Sequence, residues 1–152
     1  MRQPPKPGVD VIDAYGLVAL IANKAAAPEV EKLLRDEECR VVAVNLAEAI
    51  DVAARTHGYP LEEIRKALEP LLLGGQLTVA VSDESEAWLA AEIRVSKYHR
   101  SKRPLSMADC VLLAHALSTG DAVATSDPHI ADIARSGGVT VIALPDTDGN
   151  RP

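Results

Sequence analysis

Short apolar runs alternate with longer stretches in which apolar residues return every three or four positions. The runs are Val9–Asp13, Arg40–Val44, Leu77–Val81, Ala122–Thr125 and Val139–Leu144. They are rich in Val and nearly continuous, the pattern of strands buried on both faces of a parallel sheet. Between them the spacing predicts helices: Ala14–Ala22, fully buried, and Pro28–Glu38, with Val30, Leu33 and Leu34 inward. Leu46–His57 is a third, ending at Gly58. Pro60 suits a first helical position, with Leu61, Ile64, Leu68, Leu71 and Leu72 following at helical spacing. Pro70 is expected to end or kink that helix. A long helix after the third strand carries Trp88, Ala91, Val95 and Tyr98 on one stripe, assigned to the core. Ser106–Leu117 and a short helix from Asp127 to Arg135 complete the set. Strand alternating with helix makes an α/β domain with helices on both faces of its sheet. No internal repeat or second-domain boundary is visible, so residues 9–145 form one domain. Residues 1–8, with three prolines, read as a mobile extension, and 146–152 as a loose tail.

Four acids stand where the chain leaves a strand or enters the helix behind one. Asp13 closes the first apolar run, Glu48 follows the second, Asp109 lies in the first turn of SMADCVLLAHAL, and Asp127 ends AVATSD. In an open parallel sheet these positions gather outside the carboxyl ends of the strands. Each acid also fits a helix cap. Ser106 to Asp109 and Asn45 to Glu48 have box-like spacing, Asp127-Pro128 reads as an N-cap before a first-position proline, and Asp13 can cap the helix after it. Taken singly, capping explains each. Together, four carboxylates at one edge repel unless a cation or protons intervene. Oxygen-only ligands suit Mg²⁺ or Mn²⁺, whose natural use is hydrolysis of a phosphate ester.

Composition narrows the class. The 152 residues are 47% hydrophobic, enough for a real core, but with one Trp, three Tyr and no Phe it must be aliphatic. The two cysteines, Cys39 and Cys110, lie in apolar surroundings and suggest neither disulfide nor zinc knuckle. The start MRQPPKPG has no apolar core of the signal-peptide kind, and no run approaches a membrane span, so a cytosolic (cytoplasmic) protein is expected. Net charge is −6, which argues against nucleic-acid binding through a global field. Locally, Arg94, Lys97, Arg100, Lys102 and Arg103 form a strip without an acid, leading into Asp109. Such a strip suits an RNA backbone, and it equally suits a solvated helix end.

The segments VIDAYGLVALI, NLAEAI, LSMADCVLLAHAL and ATSDPHI, with VTVIALP at the end, occur in the order and at the spacing of a known family. The chain resembles the PIN-domain nucleases, and among them the VapC-type toxins of toxin–antitoxin pairs. The resemblance covers Val9 to Pro145. It implies a three-layer α/β/α sandwich around a five-stranded parallel sheet. It implies Mg²⁺ or Mn²⁺ held by Asp13 and Asp109, with Glu48 and Asp127 completing the pocket and Thr125 at a polar position able to hold a water. It implies cleavage of RNA, often tRNA or ribosomal RNA, leaving a 5′-phosphate and a 3′-hydroxyl. It also implies a VapB-type antitoxin and a homodimer. Two positions depart from the pattern: Tyr15, where relatives carry a small hydroxyl residue, and His129, where an aromatic is common. Both bear on the pocket rim and so on the substrate. Asp51, one turn after Glu48, is an outer ligand or a solvated acid. The helix Leu61–Leu72 with Leu73 is either an antitoxin docking face or ordinary core.

Other hydrolase motifs are missing: there is no G-x-S-x-G elbow, P-loop or H-E-x-x-H helix. A phosphoacceptor receiver domain would want an acid pair after the first strand and a lysine after the last, where this chain has Asp13 alone and Pro145. A catalytically idle PIN-like binding module has no reason to keep four acids. A housekeeping RNA-processing nuclease shares the chemistry and differs in lacking an antitoxin.

Overall fold

Five parallel strands form one sheet in the computed structural model, which describes residues 8–152. They are β1 (Asp10–Ile12), β2 (Cys39–Val42), β3 (Leu77–Ala80), β4 (Ala122–Thr125) and β5 (Val141–Ala143), in the spatial order β3-β2-β1-β4-β5. Among the described residues seven α-helices cover it: α1 (Ala14–Ala22), α2 (Ala27–Asp36), α3 (Ala43–Asp51), α4 (Leu61–Leu73), α5 (Glu84–Lys97), α6 (Met107–Thr119) and α7 (Pro128–Ser136). A π-helical turn, Val52–Thr56, extends α3. The proposed extension 1–8 lies, apart from Gly8, outside the described residues. No helix among the described residues is long and apolar enough to cross a membrane.

Side chains alternate across a strand, so apolar neighbours along each strand serve opposite faces of the sheet. Val11, Val42 and Val123 join Ile93 of α5, Leu112 and Leu113 of α6 and Ile130 of α7 in one buried cluster. Their neighbours Ile12, Val41 and Ala124 join Leu17 of α1 and Val30 and Leu34 of α2 in another. The sheet is thus covered on both faces, as the apolar runs predict. Cys39 and Cys110 are buried free thiols.

The topology locates the site. The chain builds β1, β2 and β3 outward in one direction, then crosses back to lay β4 on the other side of β1. The strand order reverses between β1 and β4, and α1 and α7 leave those strands toward opposite faces. The crevice opened at such a reversal, outside the carboxyl ends of the strands, is where sheets of this kind bind ligands.

Several expectations need correction. The chain passes from β2 straight into α3 at Ala43, so Asn45 and Glu48 form no capping box: the cap residue is Val42, without a side-chain bond. Asn45 instead donates to the Ala108 carbonyl at 3.3 Å, and Glu48 sits in the second turn. α4 runs through Pro70 to Leu73. Pro70 and Lys66 are both solvent-exposed, so the carbonyl deprived of its N–H partner faces water, and the Gly74 N–H still reaches the Pro70 carbonyl at 2.9 Å. The α5 stripe is not core. Trp88 is 66% exposed and Val95 87%, and the helix buries Ala90 and Ile93 instead. Nor is the tail loose. Arg151 donates to the Ala143 carbonyl at 2.8 Å and pairs with both carboxylate oxygens of Glu29, while Arg135 reaches the Pro152 carbonyl.

Candidate active site

Each acid is placed by a short local rule. Asp13 follows β1 and caps α1, its Oδ1 accepting from the Gly16 N–H at 2.8 Å. Its Oδ2 accepts from the Thr125 hydroxyl at 2.6 Å, a bond across 112 residues that ties β1 to the end of β4. The same hydroxyl oxygen accepts from the Asp127 N–H at 3.0 Å. Thr125, wholly buried, therefore holds two of the acids in register. Asp127 caps α7, with Oδ1 accepting from the His129 and Ile130 N–H groups at 2.7 and 3.2 Å. Asp109 completes a capping box with Ser106: its Oδ2 accepts from the Ser106 N–H at 2.9 Å, and its own N–H donates to the Ser106 hydroxyl at 3.0 Å. Glu48 hangs from the second turn of α3, and its Oε2 is buried with no hydrogen-bond partner.

Capping and convergence are both true. Asp13, Glu48, Asp109 and Asp127 line a single cavity of about 450 Å³ with Ala14, Tyr15, Ser106, Ser126, Pro128, Ile130 and Asp146. Each cap occupies one carboxylate oxygen. Among the described residues the second oxygens of Asp109 and Asp127 have no hydrogen-bond partner. Asp51 stands apart, exposed and paired with Arg55 at 2.9 Å.

Burial outweighs the helix termini in setting protonation. It drives Asp13 up to about 7, against the bonds from Thr125 and Gly16, and the charges of Asp109 and Asp127 push the same way. Asp109 is raised by burial, with Asp127 adding to it while the Ser106 bonds pull it down. Glu48 is raised by burial, then by Asp109 and Asp51. Neighbouring carboxylates repel one another when ionised, and either protons or an added positive charge relieves that repulsion.

The donor set is oxygen only and rich in charge, which suits a small hard divalent cation. The orphaned Glu48 Oε2 is a buried acceptor awaiting a partner. Among the described residues no three acidic, histidine or cysteine side chains stand as a completed metal ligand set.

None of the basic strip lines the cavity. α5 runs antiparallel to α6: Glu86 early in α5 meets His115 late in α6 at 2.9 Å, while Arg94 acts on Cys110 in the first turns of α6. The strip therefore lies toward the end of α6 that carries Asp109. Arg94 stacks 4.4 Å over the Tyr98 ring, and Arg103 pairs with Asp132 at 2.8 Å. His99 and Arg103 bridge backbone to backbone, presenting Lys97, Arg100 and Lys102 to solvent around that loop.

Two members of the site, Gly16 and Asp146, were not singled out from the sequence, whereas Tyr15, expected at the pocket rim, does line the cavity. Gly16 supplies the N–H that holds Asp13, and a Cβ there would meet Ile12 Cγ2 at 2.6 Å. The Tyr15 hydroxyl is buried in the cavity wall without a partner. Asp146 is the first acid after β5, so the strand-end rule that found the others would have found it too.

The sequence matches the PIN domain family over residues 11–136. No curated protein matches the chain. Among solved structures it is similar to Mycobacterium tuberculosis VapC20, a sarcin-ricin loop cleaving toxin, at 17% identity and a TM-score of 0.65, over 81% of this chain and 93% of that one. It is similar to VapBC2 of Rickettsia felis, solved bound to a promoter DNA fragment, at 13% identity and 0.64, over 88% and 97%. FitAcB of Neisseria gonorrhoeae follows at 22% identity and 0.59, over 88% and 96%. At these identities the likeness is one of fold. With a family match spanning most of the chain, a sheet that reverses between β1 and β4, and acids gathered at that reversal, the chain belongs to the PIN domain family.

Proposed function

We propose that the chain is a divalent-metal-dependent endoribonuclease and the toxin of a toxin–antitoxin pair, with Asp13 and Asp109 holding Mg²⁺ or Mn²⁺ and Glu48 and Asp127 completing the site. The observation that carries this is the single cavity at the β1/β4 reversal, lined by those four carboxylates and containing the buried, unpartnered Glu48 Oε2. A cation bound there neutralises charge on the phosphate and lowers the pKa of water, which makes hydrolysis feasible near neutral pH. Asp13 is fixed by Gly16 and Thr125, so it contributes a carboxylate that need not be reorganised. Asp109 and Asp127 each keep one oxygen for a ligand while their caps hold the other. Glu48 or Asp127 orients the attacking water, a role supported for Glu48 by its unpartnered Oε2. In-line attack leaves a 5′-phosphate and a 3′-hydroxyl. Lys97, Arg100 and Lys102 grip the RNA backbone, with Arg94 and Arg103 anchoring the strip.

The direct test is cleavage of tRNA and ribosomal RNA by purified protein with Mg²⁺ and with chelator. Wild type is expected to cut only with the ion. Asp13→Asn and Asp109→Asn are expected to lose at least ~100-fold in rate, a loss in keeping with removal of the charge that stabilises the transition state. Wild-type rates in either variant contradict the assignment.

Partners follow from two surfaces. Leu46, Ile50, Leu61, Ile64, Leu68 and Leu72 line an apolar groove of about 220 Å³ between α3 and α4, which suits an amphipathic helix of a VapB-type antitoxin. The exposed stripe of Trp88, Ala91 and Val95 offers a face for a homodimer.

A further inference from the structure

The segment after β5 is built around one carboxylate. Asp146 Oδ1 accepts from the Asp148 and Asn150 N–H groups, both at 2.9 Å. The Asp146 N–H donates to the Asn150 carbonyl at 2.8 Å, and Gly149 turns the chain at a φ of 84°. Arg151 then fastens the turn to the body through Ala143 and Glu29. Only Oδ1 is occupied; among the described residues Oδ2 has no hydrogen-bond partner. The half-buried side chain lines the same cavity as Asp13, Glu48, Asp109 and Asp127.

A turn of this kind needs an acceptor at its first position, and a neutral Asn or Ser supplies one. It does not need a negative charge facing four others. A second feature of the same wall points to a ligand: Tyr15 shares the lining with Asp146, and its hydroxyl is buried without a hydrogen-bond partner. The lining thus includes, among the described residues, a carboxylate oxygen and a hydroxyl without hydrogen-bond partners, together with Glu48, whose Oε2 is also unpartnered.

We infer that Asp146 is a fifth carboxylate of the cation-binding cavity, carried in by the C-terminal turn. This rests on the metal-dependent reading above. Asp146 adds charge to the rim from the side opened by the end of β5, and Arg151 positions it by fixing the turn. Cation affinity in oxygen sites scales with the number of carboxylates offered.

The test is calorimetric titration of Mn²⁺ into the full chain, with melting in chelator as the folding control. Asp146→Asn keeps the acceptor of the turn and removes the charge. It is expected to bind Mn²⁺ roughly tenfold more weakly, the range seen for groups that support metal ligands, and to melt in chelator no lower than wild type. Asp146→Ser provides a second neutral acceptor should the first variant fold poorly. Asp148→Asn removes a charge from the same turn but not from the cavity wall, and is expected to leave affinity unchanged. Asp13→Asn is expected to abolish binding. Loss with Asp13→Asn and wild-type affinity in both Asp146 variants overturns this inference alone. Equal weakening by Asp148→Asn overturns it as well, since the effect would then be a general field. Undiminished binding by Asp13→Asn overturns the metal-dependent reading and this inference with it.

Discussion

Asp13 is the residue on which the electrostatics of the site converge. Its carboxyl is raised from an ordinary 3.8 to about 7 by burial, and Asp10, on the same strand, is raised to about 6 by burial and by Glu37 and Asp121. A folded state that holds a proton more tightly than the unfolded chain loses stability as pH rises between the two pKa values. The cation-free protein should therefore be more stable at pH 5 than at pH 8, by on the order of a few kcal/mol, and melt at a higher temperature there. Asp13→Asn should flatten that slope, and Mg²⁺ should raise the melting temperature at pH 8 but not at pH 5. A melting temperature that climbs from pH 5 to 8 without cation would refute the cause assigned to Asp13. Gly16 makes a second prediction at this scale. A methyl at that position meets a buried Ile12 methyl at 2.6 Å and crowds the Asp13 oxygen at 3.4 Å. Gly16→Ala should cost about 1–3 kcal/mol in chemical denaturation and weaken Mg²⁺ stabilisation. The strand-end rule made four acids legible from the sequence. Gly16 was not, because an apolar helix with one glycine gives no hint of which neighbour approaches it.

Elements were legible in kind and less so in face. The five strands and the helices between them follow from runs and spacing. α5, however, has two apolar sides, and periodicity does not say which one meets the body. The side with Ala90 and Ile93 packs against α6, leaving Trp88 and Val95 in solvent. Trp88→Ser should therefore change the stability of a dilute monomer by no more than ~0.5 kcal/mol, whereas Leu113→Ala, removing a fully buried side chain, should cost about 2–5 kcal/mol. Urea melts of the two variants make the comparison. An early start for α3 was equally hidden, since strand and helix share the apolar residues at Val42 and Ala43. The tail looked loose because Pro, Gly, Asn and Asp dominate it. What holds it is an ion pair to Glu29, 122 residues away, for which local composition carries no signal.

For the whole molecule the charge balance sets the terms of binding. A net charge of −6 repels RNA at long range, so the proposed ribonuclease activity requires affinity from the short basic strip and from a bound cation. Reversing Arg100 and Lys102 together to Glu should weaken RNA binding and lower its log–log salt slope by at least about 1.4, given ~0.7 per phosphate contact on single strands. Filter binding across a salt series reads both; an unchanged slope removes the strip from the RNA path. The reversal of strand order has a consequence in time as well. The bond from Thr125 to Asp13 spans 112 residues, and Asp127 lies beyond it. A nascent chain leaving the ribosome displays Asp13 and Glu48 long before Asp109 and Asp127 emerge. The cavity is complete only once the chain has been made through β4 and Asp127.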